Sequence, residues 1–323
     1  MIDKWGRSIN YLRISITDRC NLRCIYCMPK EGISYREEKE ILSIDEIISV
    51  AKAAGELGIS KIRITGGEPL VRDGIEELIH KIKRLKGIKE VCLTTNGILL
   101  EEKMDSLILA GLDRVNISLD TLKENVYGEI TRNGKIDKVL RGIESSIKNG
   151  IKVKLNIVII KGYNDTEIMD FVDLVDEKQI DIRFIELMPI GFGKNYTSFS
   201  SKEIRDLILE NRDLIKCDEN NEKEGPAVYY KTKKSIGRIG FISAMTHSFC
   251  ESCNRVRLTA DGVLKQCLLL NNSINIKDTI RNGGNEEEIK EVLRDVIHNK
   301  PQSNMLKIGE NQSEIRFMNE IGG

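Results

Sequence analysis

Long hydrophobic runs are missing from this 323-residue sequence: the longest, Cys24 to Met28, is five residues, and others such as Ile157 to Ile160 and Cys267 to Leu270 are four. A membrane-crossing helix needs about twenty, so no membrane partner is expected. Net charge is missing as well, because 50 Lys and Arg cancel 50 Asp and Glu. That balance argues against a mainly electrostatic nucleic-acid binder, while one local basic site remains compatible with it. The opening MIDKWGRSIN lacks the apolar segment of a signal peptide, which predicts a cytoplasmic chain. No low-complexity tract interrupts the sequence.

Cysteine, in contrast, is plentiful, with 8 residues. A chain of this length buries enough surface to fold without disulfide staples, and the cytoplasm keeps thiols reduced. The cysteines therefore need another use. Six fall into two tight groups: Cys20, Cys24 and Cys27, then Cys250, Cys253 and Cys267. Cys92 and Cys217 have no partner spacing and read as ordinary thiols.

Over the first two thirds, strand and helix patterns alternate at about 30 residues, the length of a βαβ unit. Strands are predicted at Leu12 to Ile16, Lys61 to Thr65, Val91 to Thr94, Arg114 to Leu119, Lys152 to Ile160 and Asp181 to Leu187. Between them, Ser43 with Glu46 forms a capping box ahead of Ile47, Ile48, Ala51 and Ala54. Asp73 stands before Ile75, Leu78, Ile79 and Ile82 in the same way. Such a series implies a parallel sheet with right-handed crossovers. Six units are two short of a closed eight-fold barrel, so an α/β fold with a partial (βα)6 TIM-like barrel is expected. Alternation within the strands sets Arg13, Arg63, Lys154 and Arg183 opposite the apolar face that helices must cover. A basic inner face suits an anionic substrate. After Met188 the rhythm stops. A capped helix near Ser200, short strands at Ala227 to Lys231, Ser235 to Ile242 and Arg255 to Thr259, and a helix from Asn285 to Ile297 are expected. We read residues 1–216 as the barrel and 217–323 as a smaller C-terminal α+β domain.

The first cysteine group, in TDRCNLRCIYCMPK, directly follows the first strand, where parallel-sheet enzymes build their active sites. Three thiolates can wrap one corner of a [4Fe–4S] cube and leave one iron open. Structural zinc prefers four ligands, and no histidine lies nearby. The spacing, with Tyr26 before the last cysteine and Gly66-Gly67-Glu68-Pro69 after the second strand, resembles the radical S-adenosylmethionine (SAM) enzymes. That resemblance implies a SAM cluster on Cys20, Cys24 and Cys27, and a 5′-deoxyadenosyl radical as the reactive species.

The second group has the spacing C-x2-C-x13-C. It is compatible with a Cys3His zinc site that includes His247, or with a second cluster having an open iron. FCESCNRVRLTADGVLKQCL and the final Gly322-Gly323 resemble the GTP 3′,8-cyclase family of molybdenum cofactor biosynthesis, as do RITGGEPL, TTNG, ISLD and RFIELMP. The resemblance implies two [4Fe–4S] clusters, SAM, and conversion of GTP to 3′,8-cyclo-7,8-dihydro-GTP by a lyase. It assigns Tyr26, Gly67, Glu68, Ser118, Arg183 and Met188 to SAM. Arg13, Arg63, Thr94, Lys154, Arg255, Val256, Arg257, Gly322 and Gly323 are assigned to GTP, with Arg13 also a candidate for a closing proton transfer. An electron donor, a homodimer and a downstream pterin synthase are further implications. His80 and His298 read as surface residues. Two other readings stand beside this one: a peptide-modifying radical SAM maturase, and a zinc-ribbon nucleic-acid binder built on the second cysteine group.

Overall fold

The computed structural model describes residues 1–217, 225–271, 273–303, 314 and 316–322. The first part alternates as β1 (Tyr11–Ser15), α1 (Ile44–Glu56), β2 (Lys61–Thr65), α2 (Ile75–Lys83), β3 (Glu90–Thr95), α3 (Leu100–Ala110) and β4 (Arg114–Ser118). It continues with α4 (Glu124–Thr131), α5 (Ile136–Lys148), β5 (Lys152–Ile157), α6 (Ile168–Glu177), β6 (Asp181–Ile185) and α7 (Ser201–Leu209). Six strands follow: β7 (Ile215–Lys216), β8 (Val228–Lys231), β9 (Arg238–Ile242), β10 (Arg255–Leu258), β11 (Val263–Lys265) and β12 (Ser273–Asn275). The last helices are α8 (Ile276–Arg281), α9 (Glu286–His298) and α10 (Met318–Ile321).

Local chemistry explains the ends. The Ser43 hydroxyl accepts from Glu46 N at 3.2 Å while the Glu46 carboxylate takes Ser43 N at 2.7 Å, the reciprocal box that starts α1. Ser200 with Glu203 starts α7 in the same way. Helix α2 has no side-chain cap; Gly74 is its N-cap, and Asp73 lies one residue outside. Strand β5 stops at Ile157, short of the expected Ile160, because side chains take over the ladder. Val158 N donates to Asp120 Oδ1 at 2.8 Å and Ile160 N to Asn164 Oδ1 at 2.7 Å.

All the strands belong to one sheet, in the order β12-β11-β10-β1-β2-β3-β4-β5-β6-β9-β8-β7. The strands after residue 216 do not form a sheet of their own. Strand β10 pairs parallel with β1, and β9 parallel with β6, so the later chain extends the sheet at both edges. Among the described residues no pairing joins β12 to β7, and the sheet is open. The alternation works as expected. Leu12, Ile14, Ile62, Ile64, Leu155 and Phe184 are buried in one apolar cluster with the inward faces of the helices. Arg13, Arg63 and Arg183 turn to the opposite face. Among the described residues no helix is long and apolar enough to cross a membrane.

Phe184 anchors the β6 side of this cluster, with ring centroids 6.4 Å from Phe171 and 5.9 Å from Phe241. Phe184→Ala should destabilise the protein by about 3–5 kcal/mol, the usual cost of a large aromatic cavity. A denaturant series on the purified protein checks this; an unchanged midpoint would show that the rings are not packed as described.

Candidate active site

The first cysteine loop leaves the C-terminal end of β1 and is held by backbone contacts rather than by regular structure. Cys27 N and Met28 N both donate to Cys24 O, at 2.9 and 3.2 Å, turning the chain around that residue. Arg132 Nη1 ties Arg23 O at 3.1 Å and Met28 O at 3.0 Å. The GGEP segment runs alongside: Gly67 N donates to Thr17 O and Glu68 N to Arg19 O, both at 2.8 Å. This approach demands glycine, since a Cβ on Gly67 would lie 2.4 Å from Arg19 O.

Burial pushes the Cys20 thiol up to about 11 and Cys27 up to about 12, and raises Cys24 well above its ordinary value, its neighbours Cys27 and Cys20 adding to the effect. Such thiols ionise only against a positive centre, and thiolate is the form that binds metal. Leu22 N, 3.4 Å from Cys20 Sγ, already points a donor at one sulfur. Three soft ligands around an otherwise uncompensated pocket fit an iron–sulfur cluster.

The second group is assembled at the other end of the sheet. Tyr11, the first residue of β1, pairs with Arg255, the first of β10. Cys253 therefore lies near the start of β1, whereas Cys20 lies beyond its finish. A five-residue strand at about 3.3 Å per residue separates the two ends by roughly 17 Å. Cys267, just after antiparallel β11, returns to the same end as Cys253. Burial raises the Cys253 thiol, but Arg255 and Lys300 outweigh it and bring it down to about 6. His247 is exposed and does not line the cavity, so a Cys3His zinc set is not assembled. Among the described residues, no three His, Cys, Asp or Glu side chains converge as for a single metal ion.

Both cysteine groups line one cavity of about 340 Å³, within the range of small-molecule sites. Its middle is basic. Burial, then Arg257, holds Arg13 well below the ordinary guanidinium range. Burial, then Arg255, brings Arg257 to about 10. Arg183, also lowered by burial, has no hydrogen-bond partner for Nε or Nη2 among the described residues. Crowded, dehydrated cations of this kind call for an anion.

The cavity brings together Tyr26, Gly67, Ser118 and Met188 near the first group, with Arg13, Arg63, Thr94 and Arg183 beyond them and Arg255 and Arg257 towards the second. Four other candidates lie elsewhere. Glu68 is fully buried, accepting from Leu70 N at 2.9 Å, Thr95 Oγ1 at 2.8 Å and Asn96 N at 2.6 Å, so it braces the loop from behind. Lys154 sits below the lining, with Nζ 2.9 Å from Tyr229 Oη and 3.2 Å from Asp181 Oδ2. Val256 alternates out of the cavity into the apolar core. Gly322 closes the tail behind α10, its carbonyl accepting from Arg257 Nη1 at 3.2 Å; Gly323 is outside the described residues.

Sequence reasoning missed Tyr11, Asn116, Asn156, Asp120 and Asn319, all of which line the cavity. The first three were within reach, because they share the inner strand phase with the arginines. Asp120 follows β4 and accepts from Tyr26 Oη at 2.5 Å. Asn319, whose Nδ2 donates to Asp18 O at 2.9 Å, carries no local signal, being brought in from the tail.

Comparison with known proteins supplies the family. The radical SAM superfamily matches residues 14–175, which defines the class, and the family described as Molybdenum Cofactor Synthesis C matches residues 180–306. A GTP 3′,8-cyclase of Clostridium perfringens strain 13 is 48% identical over the full length of both chains. One from Alkaliphilus oremlandii is also 48% identical, again over all of both chains. The chain belongs to the GTP 3′,8-cyclase family. Among solved structures, Streptococcus suis SuiB superposes with a TM-score of 0.62 at 14% identity, covering 91% of this chain and 67% of that one. SuiB bound to the precursor peptide SuiA gives 0.61 at 17%, covering 92% and 66%. These likenesses concern the fold alone.

Because Gly67 lies against the cysteine loop, Gly67→Ala should displace it and lower the iron bound per chain after anaerobic reconstitution. Gly128→Ala, where an added Cβ meets nothing within 4 Å, should bind iron as wild type does. Equal iron in both variants would contradict the close approach.

Proposed function

We propose that this protein converts GTP to 3′,8-cyclo-7,8-dihydro-GTP in molybdenum cofactor biosynthesis, joining ribose C3′ to guanine C8. The observation that carries the reading is one cavity with three cysteines at each end and buried arginines between. Cys20, Cys24 and Cys27 hold one [4Fe–4S] cluster, and Cys250, Cys253 and Cys267 hold another. Bound there, SAM and the first cluster would supply radical chemistry able to remove H3′, and the second cluster would supply an iron for the guanine.

The chain's own residues do the positioning. Tyr26, Gly67, Ser118, Arg183 and Met188 orient SAM at the first cluster, while Glu68 acts on it by bracing the loop. Arg63, Arg13, Arg257 and Arg255 take the triphosphate, guanidinium groups being suited to bidentate phosphate binding. Thr94 directs the nucleotide beside Arg63. Lys154 contributes charge from beneath, and Val256 and Gly322 set the backbone around the nucleotide; Gly323, also assigned to GTP, is outside the described residues. Arg13, whose guanidinium is held below its ordinary range by burial and Arg257, handles the closing proton transfer. Fixing the ribose close to the radical source raises the rate and limits attack on the protein itself. In this reading residues 1–216 make the radical and 217–323 hold the base. A one-electron reductant, a homodimer and a following pterin synthase complete the scheme. A basic inner face fits a triphosphate better than a peptide, which sets aside the maturase reading. Zero net charge and GGEP count against a zinc-ribbon nucleic-acid binder.

Two clusters predict about eight irons per chain, where a zinc ribbon would give one zinc. Reconstituted protein with SAM and dithionite should release 5′-deoxyadenosine, more when GTP is present, and consume GTP. Cys267→Ser should still cleave SAM but lose GTP conversion. Full GTP conversion by that variant would overturn the division of labour, and SAM cleavage indifferent to GTP would overturn the substrate.

A further inference from the structure

Tyr11 begins β1 in the same inner phase as Arg13 and is only 6% exposed. Its ring lies among cations, with Lys61 Nζ 5.2 Å and Arg63 Cζ 5.9 Å from the centroid. Its hydroxyl oxygen accepts from Arg63 Nε. Arg63 Nη1 is engaged too, donating to Leu93 O at 3.2 Å and Thr94 Oγ1 at 3.3 Å. Among the described residues Nη2 makes no hydrogen bond, and Arg63 lines the cavity.

We infer that Tyr11 is a positioning residue for the phosphate-binding floor: its hydroxyl fixes the Arg63 guanidinium with Nη2 turned to the cavity and sets the positive charge that the anion meets. The inference rests on the reading of GTP as substrate. A donor already held in place loses little freedom when the ligand arrives. Without the hydroxyl, Nε is left without its partner and the guanidinium is free to swing towards it.

The same contact makes the floor responsive to pH. The charged and titratable groups around the phenol are Arg13 on its own strand, Lys61 and Arg63 on β2, Cys92 on β3, Arg183 on β6, and Arg255 and Arg257 on β10. Burial raises the phenol and Cys92 acts in the same sense, but Arg63, Arg13 and Lys61 outweigh them and bring it down to about 8. Below that pH the phenol is neutral and Arg63 presents its full charge. Above it the phenolate pairs with Arg63 and cancels much of that charge, so anion affinity falls as pH rises. By linkage, a bound anion raises the phenol in turn.

The test is equilibrium binding of GTP, and in parallel of inorganic tripolyphosphate, to the anaerobic reconstituted protein between about pH 7 and pH 9. Wild type should lose affinity for both probes through about pH 8, by at most about tenfold for each pH unit. Tyr11→Phe should bind both about fivefold more weakly near pH 7, the size of one hydrogen bond, and should lack the extra loss above it. Guanosine, which has no phosphate, should respond to neither change. Parallel curves for wild type and Tyr11→Phe, or equal affinity near neutral pH, would overturn the inference. If tripolyphosphate shows the Tyr11-dependent profile and GTP does not bind, the inference stands and the substrate reading fails. A second measurement needs no variant: ultraviolet difference titration of wild type should reveal one phenolate forming near pH 8 that tripolyphosphate moves upward. Absence of that phenolate would count against the proposal even if Tyr11→Phe failed to fold.

Discussion

Three guanidinium groups stand side by side across β10, β1 and β2, and much of the molecule is arranged around them. Strand register sets Arg257 beside Arg13 and Arg13 beside Arg63. Adjacent strands are about 4.8 Å apart, so like charges are crowded where water is scarce. Desolvation and repulsion disfavour the charged forms, and Arg13 and Arg257 are lowered accordingly. The protein answers part of this cost itself. Tyr11 meets Arg63, and the tail carbonyl of Gly322 meets Arg257. In the proposed reading the substrate's phosphates relieve more of it when they enter the cavity.

That row exists only because the late strands complete the sheet. Had the segment after residue 216 folded apart from the barrel, Arg257 would not lie beside Arg13. Parallel pairing of β10 with β1 does two things at once. It adds Arg255 and Arg257 to the floor, and it carries Cys250, Cys253 and Cys267 to the end of the cavity opposite the first cysteine loop. The backbone of GGEP closes the first end by lying directly on that loop, a contact open only to residues without a Cβ. Glu68 secures it by collecting three donors from two neighbouring segments.

Much of this was legible beforehand, and unevenly so. The six strands of the first part, the capping boxes at Ser43 and Ser200 and the inward arginines all express local rules: period-two alternation and side chains satisfying exposed backbone donors. Where local rules were overridden, a distant side chain was responsible. Asn164 and Asp120 end β5 early, and Leu70, Thr95 and Asn96 draw the Glu68 carboxylate away from the cavity. Lys154 has the right strand phase but is held low by Asp181 and Tyr229. Asn319 and Asp120 could not be foreseen, because the partners that make them meaningful lie far away in the chain.

Sequence by itself determined the chemistry on offer: two sets of three thiols, the glycine-rich companion of the first, and arginines on one face of alternating strands. These depend on spacing over a few residues, which any chain with those residues retains. Only the tertiary structure decided how the sets relate. The order of strands across an open sheet put the cysteine groups at opposite ends of one cavity and the arginines between them. Pairing between strands separated by more than two hundred residues leaves no periodic trace, since it is selected by the burial of whole faces rather than by any local pattern.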